Sequence, residues 1–379
     1  MFVNRTLTLK VLATISLLVL AALPTPSKAG GFQTEWEELR KAAQKEGELQ
    51  AFICCGVGRQ IRPFLPKLEK KLGIKLVISS GSSRQHGDRI MAERRAGRYT
   101  LDVWHGGMGS ANTRLIPQGV LREIVPLLFH PEVLDRKAWY FGKGPIFVDP
   151  ERKYIIGFRL SPSDQIAYNT NLLDPKEIQS NYDLLKPKWK GKIVMRDPRS
   201  PGAGQGAAFY YFHPDLGPEF MRKLLTVNEP VLAPNARTAA EWLSLGKYSI
   251  CIFTCGRAVR NARRQGLPVN EQFPHVLKEG APLSTGGDSI YAPNNPPHPN
   301  AQKLWINWLL SKEGQYFFQG VTRSADSARI DIPKDNVDPK DRRDPTKKYI
   351  FFQTDPEYQK KLGASMKFAR EVLSKERGF

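Results

Sequence analysis

Six short stretches carry the residue types that could do chemistry. Three lie in the first half: Cys55-Gly-Val-Gly58, Ser80-Gly-Ser-Ser83 and His105-Gly-Gly-Met-Gly-Ser110. Three lie in the second: Pro201-Gly-Ala-Gly-Gln-Gly206, Ala233-Pro-Asn-Ala-Arg-Thr238 and Thr254-Cys-Gly-Arg257. Glycine lets a backbone approach a ligand closely, and a helix start presents free N–H groups and a favourable dipole to an anion. An arginine at such a start can grip a carboxylate or phosphonate with two parallel hydrogen bonds. The candidate ligand-binding residues are therefore Cys55, Gly56, Ser82, Ser83 and Gly107 in the first half. In the second they are Gly204, Gln205, Gly206, Arg237, Thr238 and Arg257. Together they read as an anion cradle.

Other chemistries fit less well. The six histidines have no H-E-x-x-H spacing, and no G-x-S-x-G nucleophile turn occurs. Asp102 and Asp288 offer a carboxylate pair for an exported hydrolase, but each also suits a plain structural role. Gly202-Ala-Gly-Gln-Gly206 lacks the third spacing of a dinucleotide loop. The chain thus reads as a non-enzyme without a resident cofactor. Tyr210-Tyr211 could supply oxygen to a hard metal, yet adjacent helical residues do not share a face. Cys54, Cys55, Cys251 and Cys255 end or flank two strands. Cys55 and Cys255 could border one cleft and, with His105 and Met108, hold a soft metal or bridge the cleft. Alternatively the cysteines are buried hydrophobes or pair locally.

The elements that must position these loops alternate between strand and helix. A capping box at Thr34-Glu-Trp-Glu37 predicts a helix to Glu46, stopped by Gly47. Strands follow over Leu49–Cys55, Ile74–Ser79 and Leu101–Trp104, with helices over Arg59–Leu72 and from Ser83 through Arg95. In the second half, strands over Lys192–Met195 and Ser249–Phe253 alternate with helices opened by the glycine and arginine loops. This alternation predicts parallel sheets covered by helices on both faces, with ligands beyond the carboxyl ends of the strands. Extended segments over Arg159–Asn169 and Leu283–Tyr291 look like two crossings between lobes. Trp305 and Trp308, three apart on a helix, read as core. Residues 324–348, rich in Asp, Pro, Arg and Lys, read as a surface connection before a final helix over Pro356–Lys375.

At 379 residues, with 41% hydrophobic and 25% charged residues, the chain suits two globular domains and excludes global disorder. Met1–Ala29 holds three cations, no acid and an apolar run from Val11 to Leu23, too short to span a bilayer as a helix. It reads as a secretory signal ending in Ser27-Lys28-Ala29, which implies export of the mature chain. Without its three cations the formal charge of +20 becomes +17. That charge attracts anions, but no nucleic-acid motif accompanies it. The clusters at Ala92–Arg95, Arg260–Arg264 and Asp341–Arg343 read as solvated surface.

Several stretches carry a family resemblance. Lys45-Glu-Gly-Glu-Leu49, Arg89–Gly97, Ile166-Ala-Tyr-Asn-Thr-Asn171, Leu184–Ile193, Pro299-Asn-Ala-Gln-Lys-Leu304 and Ser311-Lys-Glu-Gly-Gln315 together resemble periplasmic solute-binding proteins of ABC importers. The branch is the one that includes ferric-ion-binding proteins. The resemblance implies an α/β, two-lobed clamshell of the type II periplasmic-binding-protein class with two hinge crossings. The expected divisions are 1–29 signal, 30–165 plus 286–330 first lobe, 166–285 second lobe, and 331–379 a connection and helix packing back on the lobes. It also implies a monomer that delivers its solute to an inner-membrane permease. Ferric relatives use acidic or histidine ligands and a tyrosine pair. By alignment these fall near Gly58, Gly106 or Gly107, and Gly256-Arg257, where oxygen donors of that kind are missing. The expectation is a small anionic solute, an organic acid or phosphonate, with ferric iron or a soft metal as alternatives.

Overall fold

The computed structural model describes residues 29–378, apart from 55–56, 163–165, 254, 272 and 356, so the signal segment lies outside the described residues. Helix α1 spans Ala29–Glu46, so Thr34 lies within the helix rather than capping it, while Gly47 does end it with φ of 85°. Strand β1 (Glu48–Ile53) leads to the short α2 (Val57–Gln60) and then α3 (Leu65–Leu72). The single helix expected over Arg59–Leu72 is broken by a 3-10 turn at Arg62–Phe64, where Pro63 lacks the N–H a continuous helix needs. Next come β2 (Lys75–Ser79), α4 (Ser83–Arg95), β3 (Val103–Gly106) and α5 (Met108–Ser110). The lobe continues through β4 (Leu121–Arg122), α6 (Pro131–Leu134), β5 (Ile146–Phe147) and β6 (Ile155–Gly157).

These strands, with the later β14 (Ser289–Pro293), form a sheet in the order β2-β1-β3-β14-β6-β5, β4 also pairing with β14. The β1–β2 and β1–β3 pairs are parallel. Helices cover both faces, which is why Ala51, Phe52 and Ile53 are buried in succession rather than alternately. The chain then crosses through β7 (Ser161–Pro162) into a second sheet. Its elements are β8 (Ile166–Asn169), β9 (Ile193–Arg196), α7 (Pro201–Phe212), α8 (Gly217–Thr226) and β10 (Val231–Ala233). They continue with α9 (Ala236–Ser244), β11 (Ile250–Ile252), α10 (Gly256–Arg264) and β12 (Val269–Asn270). The strand order is β10-β9-β11-β8-β12, with β9 parallel to both its neighbours.

The return crossing is β13 (Ala281–Ser284), which pairs antiparallel with β7. It feeds β14 (Ser289–Pro293) back into the first sheet, followed by α11 (Pro299–Leu310) and α12 (Lys312–Thr322). Trp305 and Trp308 are buried, with ring centroids 5.1 Å apart, as their helical spacing predicts. A further passage, β15 (Tyr349–Ile350), pairs parallel with β13, and α13 (Tyr358–Arg377) then packs on α7 and α8 of the second lobe. The result is a two-lobed α/β clamshell whose lobes are joined by a small three-stranded sheet, β15-β13-β7.

Residues 324–348 correct the expectation of a surface connection. Asp326, Ala328, Arg329 and Asp341 are all buried there. The acids and bases of this stretch satisfy each other internally, so composition alone misleads. Arg329 forks onto Asp331 at 2.9 and 2.8 Å and donates to the Glu132 and Leu310 carbonyls. Arg343 and Lys334 both pair with Asp326.

Candidate functional site

A cavity of about 330 Å³ lies between the lobes, lined from the first lobe by α2 and from the second by α10. Its position follows from chain geometry. Each helix starts just beyond the carboxyl end of a parallel strand, β1 and β11 respectively, where open α/β sheets place their ligands. Gly58 allows the first wall to form: a Cβ there would sit 2.7 Å from Ser80 Cβ and 2.8 Å from the Ile53 carbonyl oxygen. Only glycine lets the loop after β1 lie against the loop after β2.

Four arginines line this cavity: Arg59 from α2, Arg159 from the approach to β7, and Arg260 and Arg264 from α10. They divide into two kinds. Arg159 donates from its Nη1 to Asp288 at 3.3 Å. Arg260 pairs with Glu271 at 3.0 Å and with Asp341 at 3.3 Å. Arg59 and Arg264 are exposed and have no acidic partner among the described residues. The surplus positive charge of the cavity therefore sits on one guanidinium from each lobe.

The floor is a buried polar cluster. Asp288, 2% exposed, also receives the His105 Nε2 at 2.9 Å. Burial alone would raise the carboxyl pKa, but the His105 hydrogen bond and the Arg159 charge overcome it and hold Asp288 below the usual carboxylate range. The His105 ring packs against both Phe158 and Phe318, each with its ring centroid 4.9 Å away. Asp288 is thus a counter-ion within the wall. Asp102 lies elsewhere, accepting from the His298 and Gln50 backbone N–H groups at 2.7 Å each. The two acids form no paired site.

The sequence-predicted residues scatter around this cavity rather than converge on it. Cys55 and Gly56 lie outside the described residues. Ser82 caps α4, its Oγ accepting from the Gln85 N–H at 3.2 Å, and Ser83 opens that helix. Gly107 caps the short α5, and a Cβ there would touch the Gly286 carbonyl, so this loop borders the turn between β13 and β14. Helix α7 begins at Pro201, so Gly204, Gln205 and Gly206 lie beyond its first three N–H groups. The Gly204 N–H already donates to Ser200 O at 2.7 Å. A Cβ on Gly204 would meet Met366 of α13 at 2.7 Å, so this glycine serves helix packing. The Thr238 N–H is taken by the Asn235 side chain at 3.0 Å, while Arg237 is exposed beside it. Arg257 lies in the first turn of α10, one helical turn before Arg260 and Asn261, and its side chain lies outside the described residues.

The metal candidates are also placed. Cys251 and Cys255 form a disulfide within the second lobe, and Cys54 is disulfide-bonded too. With Cys255 bonded and His105 engaged by Asp288, the soft-metal set drawn from Cys55, Cys255, His105 and Met108 does not assemble. Tyr210 is fully buried against Phe220 and Phe253, and Tyr211 packs on Phe368. Neither lines the inter-lobe cavity. Among the described residues no three His, Cys, Asp or Glu side chains cluster as a metal site.

Sequence reasoning missed Arg59, Arg159, Arg260 and Arg264. The signal was present in part: Arg260 and Arg264 are four apart on a helix that opens at a strand end, and so share one face.

Residues 54–320 match the family of bacterial extracellular solute-binding proteins. The chain belongs to that family. It is a binding protein, not an enzyme. No curated protein matches it. Among solved structures it is similar to the Trichodesmium IdiA/FutA protein in complex with iron and citrate. The identity is 19%, covering 86% of this chain and 99% of that one, with a TM-score of 0.65. Ferric iron-binding protein A of Mannheimia haemolytica in an open conformation is 16% identical over 86% and 98% of the two chains, with a TM-score of 0.63. AfuA of Actinobacillus pleuropneumoniae with fructose-6-phosphate bound is 19% identical over 88% and 99%, with a TM-score of 0.56. The solute-binding protein shares their fold. No helix among its described residues is long and apolar enough to cross a membrane.

Proposed function

We propose that this solute-binding protein captures a small anionic solute between its lobes in the periplasm. Acting as a monomer exported by residues 1–29, it delivers that solute to an ABC-importer permease in the inner membrane. The solute is an organic acid or a phosphonate-like molecule. The observation that carries this reading is the placement of Arg59 and Arg264, one per lobe, on a single cavity without acidic partners among the described residues. An anion spanning them bonds to both lobes and favours the closed clamshell. Arg257 stands one turn earlier on α10.

The neighbours solved with iron make ferric iron the reading to set against it. The test is calorimetric titration of the mature chain with dicarboxylates, phosphonates, sugar phosphates and ferric citrate, alongside elemental analysis of the protein as purified. One anion should bind. Arg59→Ala and Arg264→Ala should each weaken it about tenfold or more, the size of a lost charge-assisted hydrogen bond. Stoichiometric iron as purified, or an anion affinity indifferent to both substitutions, would overturn the reading.

A further inference from the structure

The positive charge of this chain is unevenly spread. Residues 59–98 hold 11 lysines and arginines against three acids, a net +8 of the mature chain's +17. Topology gathers much of that charge at one end of the first lobe. Strands β1, β2 and β3 run parallel, and α1, α3 and α4 immediately precede them. The C-termini of these helices therefore lie together at the amino ends of the strands, away from the carboxyl ends that face the inter-lobe cavity.

Lys45, Lys70 and Arg95 stand in the last turns of α1, α3 and α4. Lys75 opens β2, its N–H bonded to the Gly47 carbonyl at 2.9 Å, and Arg98 follows α4. All five are exposed, and none has an ion pair among the described residues. Tyr99, 42% exposed, stands beside Arg98, with the Arg94 guanidinium 5.0 Å from its ring centre. The acids at this end are engaged. Glu46 accepts from the Asn300 and Ala301 N–H groups at 3.0 and 2.8 Å, and Glu48 from the Gln50 amide at 2.7 Å. Glu69 accepts from the Leu76 N–H at 2.9 Å, and Glu93 holds Arg89 at 2.7 Å. A cation in the last turn of a helix complements the helix dipole, which accounts for Lys45, Lys70 and Arg95 one by one. It does not account for Lys75 and Arg98, which lie outside the helices.

We propose that this end of the first lobe docks on an anionic phospholipid bilayer. Apart from Tyr99, the end presents no exposed large apolar side chain among the described residues. It therefore offers a protein partner little apolar surface to bury, and a nucleic acid no row of rings to stack on. A bilayer needs neither. Its headgroups move laterally to meet the cations, each of which strengthens binding about fivefold, and a tyrosine settles at headgroup level. Docking here leaves the inter-lobe cavity uncovered, because that cavity lies at the other ends of the strands.

The test is co-sedimentation of the mature protein with vesicles of phosphatidylglycerol in phosphatidylcholine, and with vesicles of phosphatidylcholine alone. The wild type should bind only the first. Salt should release it, since the screening length falls from about 10 Å at 0.1 M to about 3 Å at 1 M. Lys70→Gln, Lys75→Gln and Arg95→Gln combined should weaken binding about a hundredfold, at about fivefold per cation. Lys137→Gln, Lys143→Gln and Lys278→Gln combined remove the same charge from exposed lysines elsewhere, and should weaken it less than about threefold. Both triple variants should melt like the wild type, and both should bind duplex DNA equally weakly. The proposal is overturned if the wild type does not bind phosphatidylglycerol, or if it binds pure phosphatidylcholine as well. It is also overturned if the two triple variants weaken alike, which would make net charge the cause. A loss of DNA binding confined to the first triple would mark a nucleic-acid surface instead. A clear drop in the melting temperature of that triple would show that its cations serve the fold, and each of these two results would overturn the proposal. No solute is present in these measurements, so their outcome is independent of what the inter-lobe cavity takes.

Discussion

The two cavities that touch the crossing strands are built from different materials. The inter-lobe cavity is lined by four arginines over a buried Asp288–His105 pair, and a second cavity, beside the β15-β13-β7 sheet, by Phe209, Tyr210, Phe273, Tyr349, His275 and prolines, with Arg342, Asp344 and Lys347 also on its lining. Their unsatisfied groups differ accordingly. In the first, charge exceeds its partners: Arg159 and Arg260 are neutralised within the protein, while Arg59 and Arg264 are left for something else. In the second, the Tyr210 phenol is fully buried and neutral. The difference teaches that these arginines are not one functional set. Paired ones hold the lobes' walls together, and unpaired ones are available to a solute.

That division can be broken by substitution, and stability should respond in graded fashion. Asp288→Asn should have the largest effect, about 3 kcal/mol in chemical denaturation, because it leaves Arg159 without its counter-ion beside a buried imidazole. The same variant should lose part of the wild type's acid sensitivity. Asp288 titrates below the usual carboxylate range when folded, so its contribution is present above the unfolded carboxyl pKa and lost as pH falls through the folded value. If Asp288→Asn is as stable as wild type and equally acid-sensitive, the floor is not an ion-paired cluster.

Arg260→Ala should cost less, about 2 kcal/mol, since Glu271 keeps Arg263 at 3.0 Å while the buried Asp341 loses its nearest cation. Comparing melting curves of Arg260→Ala and Arg264→Ala sharpens the contrast. Arg59→Ala and Arg264→Ala should stay within about 0.5 kcal/mol of wild type, as exposed side chains without ion pairs do. A large loss of stability in either would mean that these arginines are structural as well.

Much of the positioning frame was legible in the residues. The strand–helix alternation, the glycine stop after α1, the Ser82–Ser83 start of α4 and the packing role of Trp305 and Trp308 follow from local chemistry. They were legible because caps and periodicity act over a few residues. The loops were legible as loops, but their assignment to one ligand was not. Gly204 looked like part of an anion cradle until α13, more than 150 residues later, brought Met366 against it. Thr238 looked like a free N–H until Asn235 took it.

By itself, then, the amino-acid sequence determined the strand–helix alternation, the order of elements and the excess of positive charge, because each depends on composition or short-range pattern. Only the tertiary structure decided which charges were spoken for. Arg260 meets Asp341 from a distant stretch of chain, and Arg159 meets Asp288 across the return crossing. Whether an arginine is a strut or a ligand contact depends on which acid folding brings within reach, and that distance is not written in local sequence.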